Sequence, residues 1–173
     1  MFAPNKLLAL VSFPATLAAV LWVPTPLTNK PTKIAGHFTM AYVKREALPV
    51  PDAAGHVLLL THGRGSNRNT GPSDFMSGAE VMTAELVDLV QGNGPNQGYV
   101  IEAKGPDSVF VKVKGQVTTS MSPQGSPSTG ATGAWTFARG TGQYGGISGS
   151  GTFKVGFTSE TEFTVDWQGE YSK

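Results

Sequence analysis

The last strand-like stretch of the chain carries its cleanest pattern. Thr161, Phe163, Val165, Trp167 and Tyr171 fall on one parity, and Glu162, Thr164, Asp166, Gln168 and Glu170 on the other. A period of two puts each set on its own face of a β-strand. The same pattern recurs upstream. Phe38, Met40 and Tyr42 alternate with Thr39, Ala41 and Val43 over residues 37–45. Val109, Val111, Val113 and Val117 alternate with Lys112, Lys114 and Gln116, which predicts a half-buried strand over residues 109–119. Shorter strands are expected at 57–61, 99–104 and 134–139, with a glycine-broken one at 147–157. Residues 79–91 fit two elements, because Val81, Ala84, Leu86 and Leu89 also approach a helical period. The valine content and the following Gly92-Asn93-Gly94-Pro95 turn favour a strand.

Turn signals separate these runs. Pro51-Asp52-Ala53-Ala54-Gly55 joins the first two strands into a hairpin, and Gly105-Pro106-Asp107 marks a later turn. Residues 63–72, 120–130 and 140–146 read as loops rich in Gly, Ser, Asn and Pro. About eight strands joined mostly by hairpins predict an all-β domain, an eight-stranded antiparallel closed barrel. Closure removes the exposed edges that an open sheet would present. A membrane barrel is disfavoured, since Lys112, Lys114, Glu162 and Glu170 would have to line its lumen and no aromatic girdles flank the strands.

The start of the chain differs in kind. Residues 1–24 hold one cation, Lys6, then an apolar run from Leu7 to Val23 interrupted by Pro14, and no acid precedes Glu46. That order reads as a secretory signal, with an uncleaved membrane anchor as the alternative. Residues 25–33, with Pro26 and Pro31, read as a linker, and residues 34–173 as the barrel domain. The expected address is secreted or periplasmic, with membrane contact only through an uncleaved N-terminus.

Composition narrows the chemistry. The 173-residue chain has 13 Lys and Arg against 12 Asp and Glu, so it lacks the basic surplus of a nucleic-acid binder. Charged residues make up 14% and Gly numbers 22, which fits a β-protein with many turns. No Cys is present, which excludes disulfides, thiolate metal sites and Cys nucleophiles. His37, His56 and His62 show no metal-ligand spacing, so no metal is expected, and no cofactor motif is found. Gly140-Thr141-Gly142-Gln143-Tyr144-Gly145 contains a G-x-G-x-x-G pattern, but strands flank it where a dinucleotide site needs a helix.

The candidate site residues come from parity. Glu85 shares its parity with Val81, Thr83, Val87 and Leu89. If that parity faces in, its carboxyl sits in an apolar wall and can serve as an acid or base. If it faces out, Glu85 is a surface acid that can pair with Arg64. Glu102 repeats the idea on the adjacent strand. His62 and Arg64 share parity with Leu58 and Leu60. If this face is interior, His62 can move a proton at the barrel mouth and Arg64 can hold a carboxylate. The alternative is pairing with acids at the rim. Tyr99, Trp135, Tyr144 and Trp167 are aromatics able to line a cavity, although burial alone would also account for them.

Residues 140–153, Gly140-Thr141-Gly142-Gln143-Tyr144-Gly145-Gly146-Ile147-Ser148-Gly149-Ser150-Gly151-Thr152-Phe153, resemble the Gly-Thr-Gly-x-aromatic-x-Gly stretch of allene oxide cyclase-like and dirigent barrels. Trp135-Thr136-Phe137 leads in and Thr152-Phe153-Lys154 leads out. The resemblance covers residues 131–157 closely and the rest of the domain in architecture. It implies a calycin-like barrel with an apolar interior, assembled as a homodimer or homotrimer. Family members cyclise, bind or steer small apolar molecules. The motif itself is structural and carries no active-site residue over.

Three functions are therefore expected in order. The first is an exported barrel that buries a small apolar molecule. The second is a cofactor-free cyclase or isomerase, with Glu85 or His62 assisting proton transfer. The third is a non-enzymatic structural barrel acting through assembly.

Overall fold

A computed structural model describes residues 30–121 and 125–173. It contains eight strands: β1 (Thr32–Pro49), β2 (His56–Asn69), β3 (Glu80–Val90), β4 (Gly94–Lys104), β5 (Asp107–Met121), β6 (Pro127–Thr141), β7 (Ser148–Phe157) and β8 (Glu162–Ser172). Each pairs with the next, β8 pairs back to β1, and every pairing is antiparallel. The domain is a closed, eight-stranded, up-and-down barrel. The apolar parity of β5 and β8 faces its interior, where Val109, Val111, Phe163, Val165 and Trp167 are buried. The ambiguous segment is strand β3, paired along most of its length with β2 and β4.

Several elements run longer than the pattern predicts. Residues 63–69, expected as loop, continue β2. Gly63 and Gly65 face inward there, and Phe163 and Met40 occupy the space that their side chains would need. A run that looks turn-forming is thus a strand whose missing side chains are replaced by neighbours. β5 and β6 extend into the expected loop 120–130, and Thr119 Oγ1 meets Thr129 Oγ1 at 2.9 Å across the pair. Thr32 and Lys33, assigned to the linker, pair with Tyr171 and Glu170 as the start of β1. The expected signal or anchor segment and the rest of the linker lie outside the described residues.

The glycine-rich run builds a corner. Gly142–Tyr144 forms a 3-10 turn between β6 and β7. Gly142 adopts φ 57°, and a Cβ there would strike the Asp107 carboxylate. That carboxylate instead accepts hydrogen bonds from Gln143 N (2.8 Å) and Gln143 Nε2 (2.7 Å). The turn buries Tyr144 at one end of the barrel. Further along, Gly151 leaves room for the Trp135 indole, whose Nε1 donates to the Thr152 carbonyl at 3.2 Å.

The two ends are unlike. Loop 70–79, between β2 and β3, folds over one end and inserts Phe75 and Met76 as a plug. The Phe75 ring packs within 6.2 Å, centroid to centroid, of Phe137, Tyr144, Trp167 and Tyr171. Asn67 ties the loop down, since its Nδ2 donates to the Met76 carbonyl at 3.1 Å. The opposite end carries hairpin turns around the rim.

Candidate functional site

An interior cavity of about 90 Å3 runs along the barrel. Nine aromatic residues contribute to its wall, among them Phe38, Phe75, Trp135, Phe153 and Trp167, with valines from β3, β4, β5, β7 and β8 between them. Phe75 closes one end. Phe157 lines the other end and is 36% exposed, so the cavity meets solvent there. The space is smaller than typical ligand pockets of roughly 300–1,000 Å3, and it suits a slim ligand.

Five polar side chains interrupt the apolar wall: Thr61, Thr83, Glu85, Asn96 and Glu102. All come from β2, β3 and β4, so the polar groups form one stripe facing an apolar half. Glu102 is 3% exposed. Burial pushes its carboxyl up to about 8, and the Asn67 amide beside it pulls the other way. Its Oε2 meets no donor among the described residues. Glu85 stands nearer the mouth and accepts a 2.8 Å hydrogen bond from Asn96 Nδ2. Burial raises the Glu85 carboxyl as well, and Asn96 opposes that rise. Tyr42 completes the ionisable lining, its hydroxyl raised first by burial.

The sequence candidates divide cleanly. Glu85, Glu102, Trp135 and Trp167 face the cavity. Tyr144 is buried at the plugged end, where its hydroxyl accepts from Met76 N at 3.4 Å. It borders a second, more polar depression on the outer side of the plug. His62, Arg64 and Tyr99 do not reach the interior. The inward parity of β2 is that of Thr61, Gly63 and Asn67, so His62 and Arg64 point outward. Arg64 pairs with Glu80 at 3.4 Å on the surface. Tyr99 is 47% exposed opposite Ala84. The mouth position considered for His62 and Arg64 fails because Leu58 and Leu60, which share their parity, also face outward.

Asn96, Thr61 and the plug residue Phe75 escaped the sequence reading. Asn96 shares the parity of Val100 and Glu102, a signal that becomes visible once β4 is known to start at Gly94. Phe75-Met76 is an apolar pair inside a polar loop, which is itself a cue to burial.

Two histidines make surface clamps. His37 Nδ1 lies 2.7 Å from Asp166 Oδ1. His56 bridges two acids, with Nδ1 on Asp52 and Nε2 2.7 Å from Asp88 Oδ1. Hydrogen bonds to Asp52 and then Asp88 raise the His56 pKa above 6.5, and the bond to His56 lowers Asp52 below 3.8. The signs set a window. The histidine contribution is complete below about pH 6.5 and fades as pH rises through the folded value. The aspartate contribution is complete above about pH 4 and fades as pH falls through its folded value. The hairpin at residues 50–55 is therefore expected to be tightest between those limits. Amide exchange at Ala53–Gly55, corrected for intrinsic pH dependence, should be slowest in that window, and a flat profile would dismiss the clamp.

No family model matches the chain, and no curated protein matches it. Among solved structures, the barrel is similar to a pterocarpan synthase dirigent protein, at 11% identity and a TM-score of 0.45. The match covers 89% of this chain and 98% of that one. It is also similar to a protein of unknown function from Clostridium acetobutylicum, at 9% identity and a TM-score of 0.45, covering 83% of this chain and 99% of the other. The barrel assignment rests on the strand pairing of this chain.

Proposed function

We propose that this chain is an exported barrel that binds a small, slim, mostly apolar molecule in its interior. The observation that carries the reading is the aromatic cavity, open at one rim, with a single stripe of polar side chains able to orient what enters. The resemblance of residues 131–157 to allene oxide cyclase-like and dirigent barrels supports it, and the apolar run at residues 7–23 supports export. Toluene titration followed by ligand-observed NMR tests the binding. The native protein is expected to saturate. Val113 lines the cavity between Gly98 and Trp135, so Val113→Phe fills the space. That change is expected to weaken toluene at least about tenfold while costing roughly 1–3 kcal/mol of stability. Equal binding by the variant would move the ligand out of the cavity.

The second reading, a cofactor-free isomerase or cyclase, is favoured by one specific feature. Glu102 is a carboxylic acid that keeps its proton near neutral pH inside an apolar chamber, and Glu85 offers a second carboxyl on the adjacent strand. Such groups can donate and accept protons on a held substrate.

A further inference from the structure

We propose that the cavity selects a cation: the ammonium head of an apolar primary amine held at Glu102, with its hydrocarbon body lying along the aromatic wall toward the mouth. This rests on the ligand-binding reading and names the chemistry that the site selects.

Charge gives the first support. Among the described residues, the ionisable groups lining the cavity are Tyr42, Glu85 and Glu102, and none is basic. A carboxylate ligand would enter a low-dielectric chamber that already holds two acids. A cation finds Glu102 as its counter-group, with Glu85 four strand positions further toward the mouth.

Hydrogen-bond valence gives the second. Glu102 Oε2 lies on a side chain 3% exposed and has no hydrogen-bond partner among the described residues. Asn67 Oδ1, whose side chain approaches Glu102, is orphaned in the same way while its Nδ2 holds Met76. Trp167 Nε1 is a further buried polar group without a partner among the described residues. Once Glu102 is ionised, its Oε2 and Asn67 Oδ1 are two neighbouring acceptors, and they call for a group that donates. An ammonium has three donors and no acceptor, whereas a hydroxyl or carbonyl would bring acceptors of its own.

The wall gives the third. Phe38, Phe75 and Trp167 surround the plugged half, and ring faces attract cations in desolvated sites.

The proposal carries a proton. Empty, the Glu102 carboxyl is held protonated near neutral pH. An arriving ammonium favours the carboxylate, so that R–NH3+ and Glu–COOH give an ion pair and one released proton. The side chains that share the chamber with Glu102 are mostly uncharged. Its neighbours β3 and β5 present Val81, Thr83, Val109 and Val111 inward, and β2 presents Asn67. Glu85 lies further toward the mouth, also with a raised carboxyl. Tyr42 and Tyr144 are phenols, both raised first by burial, and β6 and β7 contribute no charged group to the lining. Arg45, at the rim, is held over the Tyr42 ring and on the Glu160 carbonyl.

Calorimetry on the full chain with hexylamine, hexanol and hexanoate, which share one chain length, tests this. Hexylamine is expected to bind at least about tenfold more tightly than hexanol, with hexanoate weakest. Its affinity should rise up to about tenfold per pH unit and level off above about pH 8. Buffers of different ionisation heat should report close to one proton released at neutral pH. Glu102→Gln should weaken hexylamine at least about tenfold and leave hexanol within about twofold, which separates lost charge from a damaged cavity. Hexanol or hexanoate equal to hexylamine, with toluene still bound, would overturn the cation and leave the ligand-binding reading standing. Toluene and all three probes failing together would overturn both. Unchanged hexylamine binding by Glu102→Gln would overturn the role of Glu102.

Discussion

Replacing Glu102 with Gln is expected to make the barrel more stable, and the gain should grow with pH. The folded chain holds the Glu102 proton to about pH 8, whereas an unperturbed carboxyl loses it near 4.5. Between these values the folded state binds more protons than the unfolded state, so stability falls as pH rises. Below about 4.5 both states are protonated and the penalty vanishes. Above about 8 it is complete. Glutamine keeps the shape and never ionises. At about pH 8 the variant should gain a few kcal/mol over the native chain, at about 1.4 kcal/mol for each pKa unit. At about pH 5 the two should nearly coincide. Urea unfolding at both values measures the difference, and parallel stabilities across pH would show that Glu102 is not held protonated.

Phe75→Ala should give the largest loss. The ring is 3% exposed and contacts four other aromatic rings at the plugged end. Truncating a buried phenylalanine typically costs about 3–5 kcal/mol, because lost burial adds to an unfilled cavity. The loop has few ways to collapse into the gap. Asn67, Asn69 and Lys104 anchor it through the carbonyls of Met76, Ser73 and Ser77. Met76 already adopts φ 47°, a left-handed conformation that a non-glycine residue holds only under constraint from its surroundings. The loss should appear in urea unfolding and as faster amide exchange across residues 70–79. A cost under about 1 kcal/mol would mean that the plug is a surface loop resting on a barrel that closes without it.

The fold was legible wherever one strand face is buried and the other wet. In β5 and β8 the alternation names the inward residues directly, because water on one face forces polar side chains there. It was least legible where the interior is built from glycine. Gly63, Gly65 and Gly98 read as breaks, yet each is an inward strand position backed by another chain segment or ring. Glu85 and Glu102 could be named from parity because they interrupt apolar sets on adjacent strands. The outward facing of His62 and Arg64 could not. Leu58 and Leu60 mimic an interior set, although the inward residues of β2 at the same level are Leu59 and Thr61. An apolar outer face defeats a rule that assumes the outside is polar. The plug was invisible for another reason: Phe75 is buried by chain from distant strands, and no local period encodes that contact.

The two ends of the barrel also give it a direction. β1 begins at Thr32 beside Tyr171, and β8 ends at Ser172, so chain enters and leaves at the plugged end. Whatever holds the protein by the residues before Thr32 holds it by its base, as a cup stands on its foot. A tether at that end would leave the opposite rim pointing away from the support.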